Sequence, residues 1–198
     1  MSDYEKRCFA SEVRAQTEEG QPAKIVGNGA VFNSRSENLG GFREIIMPGA
    51  FDDVLNDDVR ATFNHDPNFI LGRSSSGTLR IATNDDGLGY EIDAPSTQTI
   101  RDLVLSPMAR GDIKESSFGF RVAQDGDEWL QDDEGIIVRK IHRMSKLFDI
   151  GPVTFPAYQA ANSAKRSMEQ LKQAIEQNIH VRAMNEKSYR ERMLSILR

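Results

Sequence analysis

Two adjacent serines, Ser116 and Ser117, head the run "SSFGFRV". A serine hydroxyl becomes a nucleophile only when a base takes its proton. If that base is an imidazole, it needs a partner that fixes its tautomer and stabilises its charged form. The chain has three histidines. His65, in "TFNHDPNFILGR", stands just before a turn made by Asp66 and Pro67, at a strand end from which a ring can face a cleft. His142, in "VRKIHRMSK", falls in a strand where Ile141 points the opposite way, so it is expected on the polar face. His180 lies in a C-terminal helical segment and is expected in solvent. Asp149, in "LFDIGPVTFPAY", is the acid best suited to orient an imidazole. Its neighbours Leu147, Phe148, Ile150 and Val153 solvate charge poorly, so its carboxylate must be paired or hydrogen-bonded. Together these are the residue types that a serine nucleophile, its base and an orienting acid require. They do not choose between Ser116 and Ser117, which alternate faces along a strand so that only one can meet His65. The competing reading makes each of them structural: a polar strand start, a histidine bonded to backbone and an aspartate facing water.

Other chemistries find less support. Cys8 is the single cysteine, so no internal disulfide can form, and its place near the N-terminus does not suggest a catalytic thiol. There is no HExxH, no His/Cys cluster and no EF-hand spacing, so neither metal nor cofactor is expected. "GNGAVF" lacks the dinucleotide-binding spacing and "LGRSSSG" lacks the P-loop lysine. The acidic runs "NDDV" and "QDDEG" read as turns.

The elements that must position these residues are mostly strands. "KIVGNGAVFN" alternates, with Gly27 and Gly29 allowing a bend or bulge. "FREIIMP" and "VRATFNHDP" read as strands, the second stopping at Pro67, and "GAFDDVLNDD" as a short helix burying Phe51, Val54 and Leu55. "GTLRIATNDDGLGYEIDAP" reads as a hairpin turning at Asp86-Gly87. "STQTIRDLVLSPMARGD" reads as a capped helix that Pro107 ends or kinks. The stretch from Ser116 to Tyr158 is a run of strands broken by acidic turns. Residues 1–24 form a polar N-terminal arm, residues 25–161 the main domain, and residues 162–198 an appended amphipathic helix in which Met168, Leu171, Ile175 and Ile179 recur at helical spacing, with a break near Asn185. The net charge of −5 divides into +4 on residues 162–198 and −9 on the rest. An acidic body does not suggest a nucleic-acid groove. No apolar run of about 18 residues exists to span a membrane, and the N-terminus has no secretory pattern. The expected class is mainly β with flanking helices (α+β), closed into a barrel to remove its edges.

An ordered set of segments carries a resemblance: "GNGAVFN", "FREIIMPGAFDDVL", "TFNHDPNFILGR", "GTLRI", "DDGLGYEIDAP", "RGDIKESSFGFRV" and "LFDIGPVTFPAYQAA". Together they resemble the prohead (capsid maturation) proteases of tailed phages, serine peptidases related in fold to the herpesvirus assemblins. The resemblance implies a herpesvirus-protease-like closed barrel. It also implies a triad of Ser117 as nucleophile, His65 as base and Asp149 as orienting acid. The implied substrates are the scaffolding segment of the major capsid protein and the protease itself, cut inside the assembling prohead in the host cytoplasm. Dimerisation is implied by the assemblins. Two departures stand out: Ser116 occupies a place where relatives carry a small apolar residue or glycine, and Gly151 a place where they often carry serine. Ser116 therefore remains an alternative nucleophile. The second histidine of the herpesvirus enzymes keeps His142 as an alternative third member. A catalytically inactive assembly or scaffolding module with the same fold is the non-enzymatic alternative.

Overall fold

The computed structural model describes residues 4–9, 13–16, 22–155, 164, 167–177, 179, 181 and 184. The chain divides into two compact units, residues 1–161 and 162–198.

Among the described residues the first unit has twelve strands: β1 (Glu5–Phe9), β2 (Arg14–Gln16), β3 (Lys24–Val31), β4 (Arg43–Ile46), β5 (Arg60–Thr62), β6 (Ile70–Arg73), β7 (Leu79–Thr83), β8 (Gly87–Asp93), β9 (Glu115–Val122), β10 (Asp127–Gln131), β11 (Ile137–Ile141) and β12 (Met144–Val153). They pair in three sheets, ordered β1-β9-β12-β5-β6, β2-β3-β8-β7 and β10-β11-β4. Hydrogen bonding does not close them into one barrel among the described residues. The first two sheets meet through side chains: a Cβ on Gly29 of β3 would fall 2.5 Å from Ile150 on β12. Gly29 is also the bulged position of β3, where the register to β8 shifts between Asn28 and Ala30. β3 passes to the third sheet at its end, where Phe32 bridges Ile46. The shared core holds Ile25, Phe51, Leu71, Leu88, Ile92, Phe118, Phe120, Ile141, Met144, Leu147 and Ile150.

Local chemistry departs from the sequence pattern in four places. The hairpin β7–β8 turns on Asn84, whose side-chain oxygen accepts from the Asp86 and Gly87 N–H groups. Gly87 is required by crowding instead of turn geometry, since a Cβ there would lie 2.0 Å from the Ala30 carbonyl oxygen. Pro107 does not end its helix. Residues 98–110 run as α-helix Gln98–Ile100, π-helix Arg101–Leu105 and α-helix Ser106–Arg110. The wider π turn directly before Pro107 relieves the clash a proline ring makes with the carbonyl four residues back. β5 stops at Thr62 and not at Pro67, because Asn64 and His65 both take left-handed backbone, at φ +56° and +58°. The segment "GAFDDVLNDD" makes only one 3₁₀ turn, Asp52–Val54, though Phe51 and Val54 are buried as expected.

The largest difference lies at the N-terminus. Residues 1–24 read as a polar arm, yet β1 pairs antiparallel with β9 from Ser116 to Phe120, and Glu5 and Arg7 are almost fully buried. Their charges are invisible to a hydropathy reading because they are matched inside. Arg7 binds Glu44 bidentately at 2.7 and 2.8 Å and Glu5 at 2.5 Å. Arg139 completes the group by donating to Glu5 at 2.9 Å, Glu44 at 3.1 Å and Asp127 at 2.6 Å.

In the second unit residues 167–177 are helical, with Met168 buried, Leu171 and Ile175 half-buried, and Ile179 exposed. His180 and Asn185 lie outside the described residues.

Candidate active site

β9 alternates as a strand must. Ser116, Phe118 and Phe120 face the core, and Ser117 and Gly119 face the other way. Two strands and a loop bring partners to that outer face. β12 lies antiparallel to β9, with Asp149 opposite Gly119. Its register shifts between Leu147 and Asp149. This bulge at Phe148 lets Leu147 and Ile150 both enter the core while Phe148 and Asp149 share the outer face. β5 runs parallel to β12 on the other side, and His65 follows it on the left-handed pair Asn64-His65. The turn is held by Asn64, whose N–H donates to the Pro152 carbonyl and whose amide bonds Thr154 in both directions. A non-glycine residue in left-handed backbone at such a point is strain stored at a site.

The result is a chain of hydrogen bonds. Asp149 Oδ2 lies 2.6 Å from His65 Nδ1, and His65 Nε2 lies 2.7 Å from Ser117 Oγ. A carboxylate only accepts, so Nδ1 carries the proton, and a neutral imidazole then presents an unprotonated Nε2 to the serine. The Ser117 hydroxyl has one proton and a second acceptor, the Arg7 carbonyl at 2.9 Å. Asp149 also accepts from Thr62 Oγ1 at 3.1 Å and from the Tyr4 hydroxyl at 3.0 Å. Burial pushes the Asp149 carboxyl up, but the hydrogen bond and charge of His65 and the donors Tyr4 and Thr62 outweigh it, and the group is held below the ordinary carboxylate value. Tyr4 is pushed the other way, by burial and then by the Asp149 charge, so it remains a donor.

The two alternative residues sit elsewhere. Ser116 is buried on the core face, where its hydroxyl donates to the Tyr90 oxygen at 3.0 Å. His142 lies in the link between β11 and β12, half-exposed, 3.6 Å from Glu128. Cys8 pairs in register with Ser117, but it is buried and its thiol is pushed up to about 12, first by burial and then by Glu115. That is no environment for a thiolate. Tyr4 and Thr62 were not foreseen in the sequence. Thr62 offers a faint signal, a hydroxyl three residues ahead of His65 at a strand end.

The depressed Asp149 value has a testable sign. A carboxyl whose folded value lies below its unfolded one adds stability above the unfolded value, about 3.9, and loses it as pH falls through the folded value. The stability gap between the protein and Asp149→Asn, measured by urea unfolding from pH 5 to pH 2, is expected to narrow below about pH 4. A gap that stays constant to pH 2 would show that the carboxylate is not held.

A serine, an imidazole and a carboxylate thus stand in hydrogen-bond sequence, the residue types that a serine hydrolase uses. The chain belongs to the caudovirus prohead serine protease family, whose profile matches residues 10–174. It is therefore a serine protease of the prohead type, and membership does not favour the inactive-module alternative. Among solved structures it is similar to the bacteriophage T4 capsid assembly protease, at 14% identity and a TM-score of 0.41, over 76% of this chain and 99% of that one. No curated protein matches the chain.

Proposed function

We propose that Ser117, His65 and Asp149 are the catalytic triad of this prohead protease. The observation that carries the reading is the pair of hydrogen bonds, 2.6 and 2.7 Å, that links them through the two nitrogens of one ring. Ser117 Oγ attacks the peptide carbonyl carbon while its proton passes to His65 Nε2. The carbonyl electrons move onto oxygen, where backbone N–H groups stabilise them. The intermediate collapses, the C–N bond breaks, and Nε2 returns the proton to the leaving amine. Water then repeats the sequence on the acyl-enzyme. Asp149 keeps the Nδ1 proton in place and stabilises the imidazolium.

The substrates of this reading are the scaffolding segment of the major capsid protein and the protease itself, inside the assembling prohead. The second unit, residues 162–198, serves as an assembly segment released by self-cleavage. Its change of composition and its basic balance against an acidic body support that role. The two larger sheets, packed through Gly29 and Ile150 and handed on at Phe32, fit a barrel of the herpesvirus-protease type, and dimerisation belongs to the same proposal.

The test is incubation of the purified protein, alone at high concentration and with the unprocessed capsid protein, followed by intact-mass analysis. Defined cuts in the capsid protein's scaffolding segment are expected, with cuts near the junction at residue 161. Intact capsid protein after co-assembly into proheads would overturn the substrate assignment.

A further inference from the structure

We infer that Tyr4 is a positioning residue for the triad, delivered to it by β1 and admitted by Gly119. This rests on the triad reading above. Asp149 has two oxygens, and His65 and Thr62 both engage Oδ2. Among the described residues, Oδ1 is held by the Tyr4 hydroxyl alone. Without it the carboxylate is anchored at one oxygen and free to turn about its Cβ–Cγ bond, which swings the acceptor away from Nδ1. Tyr4 is itself fixed: its ring meets Phe148 edge-on at 5.2 Å, and Lys6 Nζ lies 5.5 Å from its centre.

Gly119 explains how a phenol reaches a carboxylate across a strand. A Cβ at residue 119 would lie 2.2 Å from Asp149 Oδ1 and 2.3 Å from the Tyr4 oxygen. The space left by that missing side chain is the space the hydrogen bond occupies. The glycine in "FGF" is thus a slot between two core aromatics, and any side chain there would push apart the two groups it now lets meet. Tyr4 directly precedes β1, and Gly119 and Asp149 lie on the neighbouring strands β9 and β12 of the same sheet, so the contact depends on β1 staying paired to β9.

The charged and titratable groups around this contact are Asp149, His65 behind it, Lys6 over the Tyr4 ring, and Arg121 over the Phe148 ring at 5.3 Å. Removing the hydroxyl adds no charge to them and takes none away. It makes the Asp149 carboxylate a stronger base toward His65, because a donor to its charged form is gone. The imidazolium is then stabilised, and the acid limb of the rate profile moves to higher pH.

The experiment uses Tyr4→Phe in the full chain, with a peptide spanning a mapped cleavage site as substrate. Active sites are counted by labelling with a fluorophosphonate. Per active site, kcat is expected to fall about tenfold with KM unchanged, the scale of one lost hydrogen bond to a charged group. The acid limb of the pH profile is expected to move up by several tenths of a unit. Active sites are counted at each pH, which removes protein lost to acid unfolding from the profile, so a destabilised variant still answers. An active wild type whose kcat and acid limb are unmoved by Tyr4→Phe overturns the role of Tyr4 alone. A wild type that neither cleaves nor takes the label overturns the triad reading and Tyr4 with it.

Discussion

Ser117→Ala is expected to lower cleavage by a factor on the order of 10⁴ to 10⁶, the loss seen when a triad's nucleophile is removed, while Ser116→Ala stays close to wild type. The two serines are neighbours in sequence, and the strand separates them. Ser117 Oγ stands 2.7 Å from His65 Nε2. Ser116 Oγ faces the core and donates to Tyr90, 3.0 Å away. Losing that hydroxyl costs about 1 kcal/mol of stability and leaves the chain of bonds through His65 untouched. The wild-type rate against which both are read is expected to be slow in isolated protein. Ser117 is fully buried, and the Arg7 carbonyl competes with His65 for its proton. A peptide reaches Oγ only after the groups that bury it move. The measurement is therefore mass spectrometry after long incubation at high concentration, with folding checked by circular dichroism. Cleavage surviving in Ser117→Ala and lost in Ser116→Ala would reverse the assignment.

How far the sequence reveals the site follows from what each residue must do. "FGF" shows its alternation openly: two aromatics go to the core, and the glycine between them goes to the other face. Asp149 is legible because a carboxylate among Leu147, Phe148 and Ile150 has no cheap surroundings. The bulge that turns it outward is not legible, since a register shift at Phe148 has no local signature. His65 is legible as a strand-end histidine, but its left-handed backbone is not, because the hydrogen bonds that hold it come from Pro152 and Thr154, about 90 residues away. Choosing Ser117 over Ser116 took the ordered family segments, since no single-residue property separates them. Tyr4 and all of β1 are hidden for one reason. Buried charges that satisfy one another look, in a linear reading, like a solvated arm. The closed barrel was expected from the cost of sheet edges; the described strands pair in three sheets, and hydrogen bonding among them does not close a barrel.

Those buried charges carry the second large prediction. Arg7→Met is expected to destabilise the protein by about 3–5 kcal/mol, the scale on which breaking one partner of a buried ion pair acts. The reason is what remains. Glu5 and Glu44, both nearly inaccessible, are left facing Arg139, which already serves Asp127. Burial alone works against the Arg7 charge, but Glu44 and Glu5 outweigh it and hold the guanidinium protonated. Removing it therefore strands negative charge that has no route to water. Two consequences separate this account from simple loss of packing. The double variant Arg7→Met with Glu44→Met is expected to recover part of the loss, because it removes the stranded charge. The deficit of Arg7→Met is also expected to shrink as pH falls from 7 to 5, because a stranded carboxyl takes a proton more readily in the folded state than in the unfolded one. Urea unfolding of the three proteins at both pH values measures all of this. A deficit under about 1 kcal/mol, the scale of an exposed pair, or one that does not change with pH, would refute the account. The effect reaches the site as well. Arg7 ties β1 to β4, its carbonyl accepts from Ser117, and Tyr4 lies three residues away against Asp149. A loosened β1 releases both contacts at once, so in conditions where Arg7→Met is still folded its cleavage rate is expected to respond more than its spectrum does.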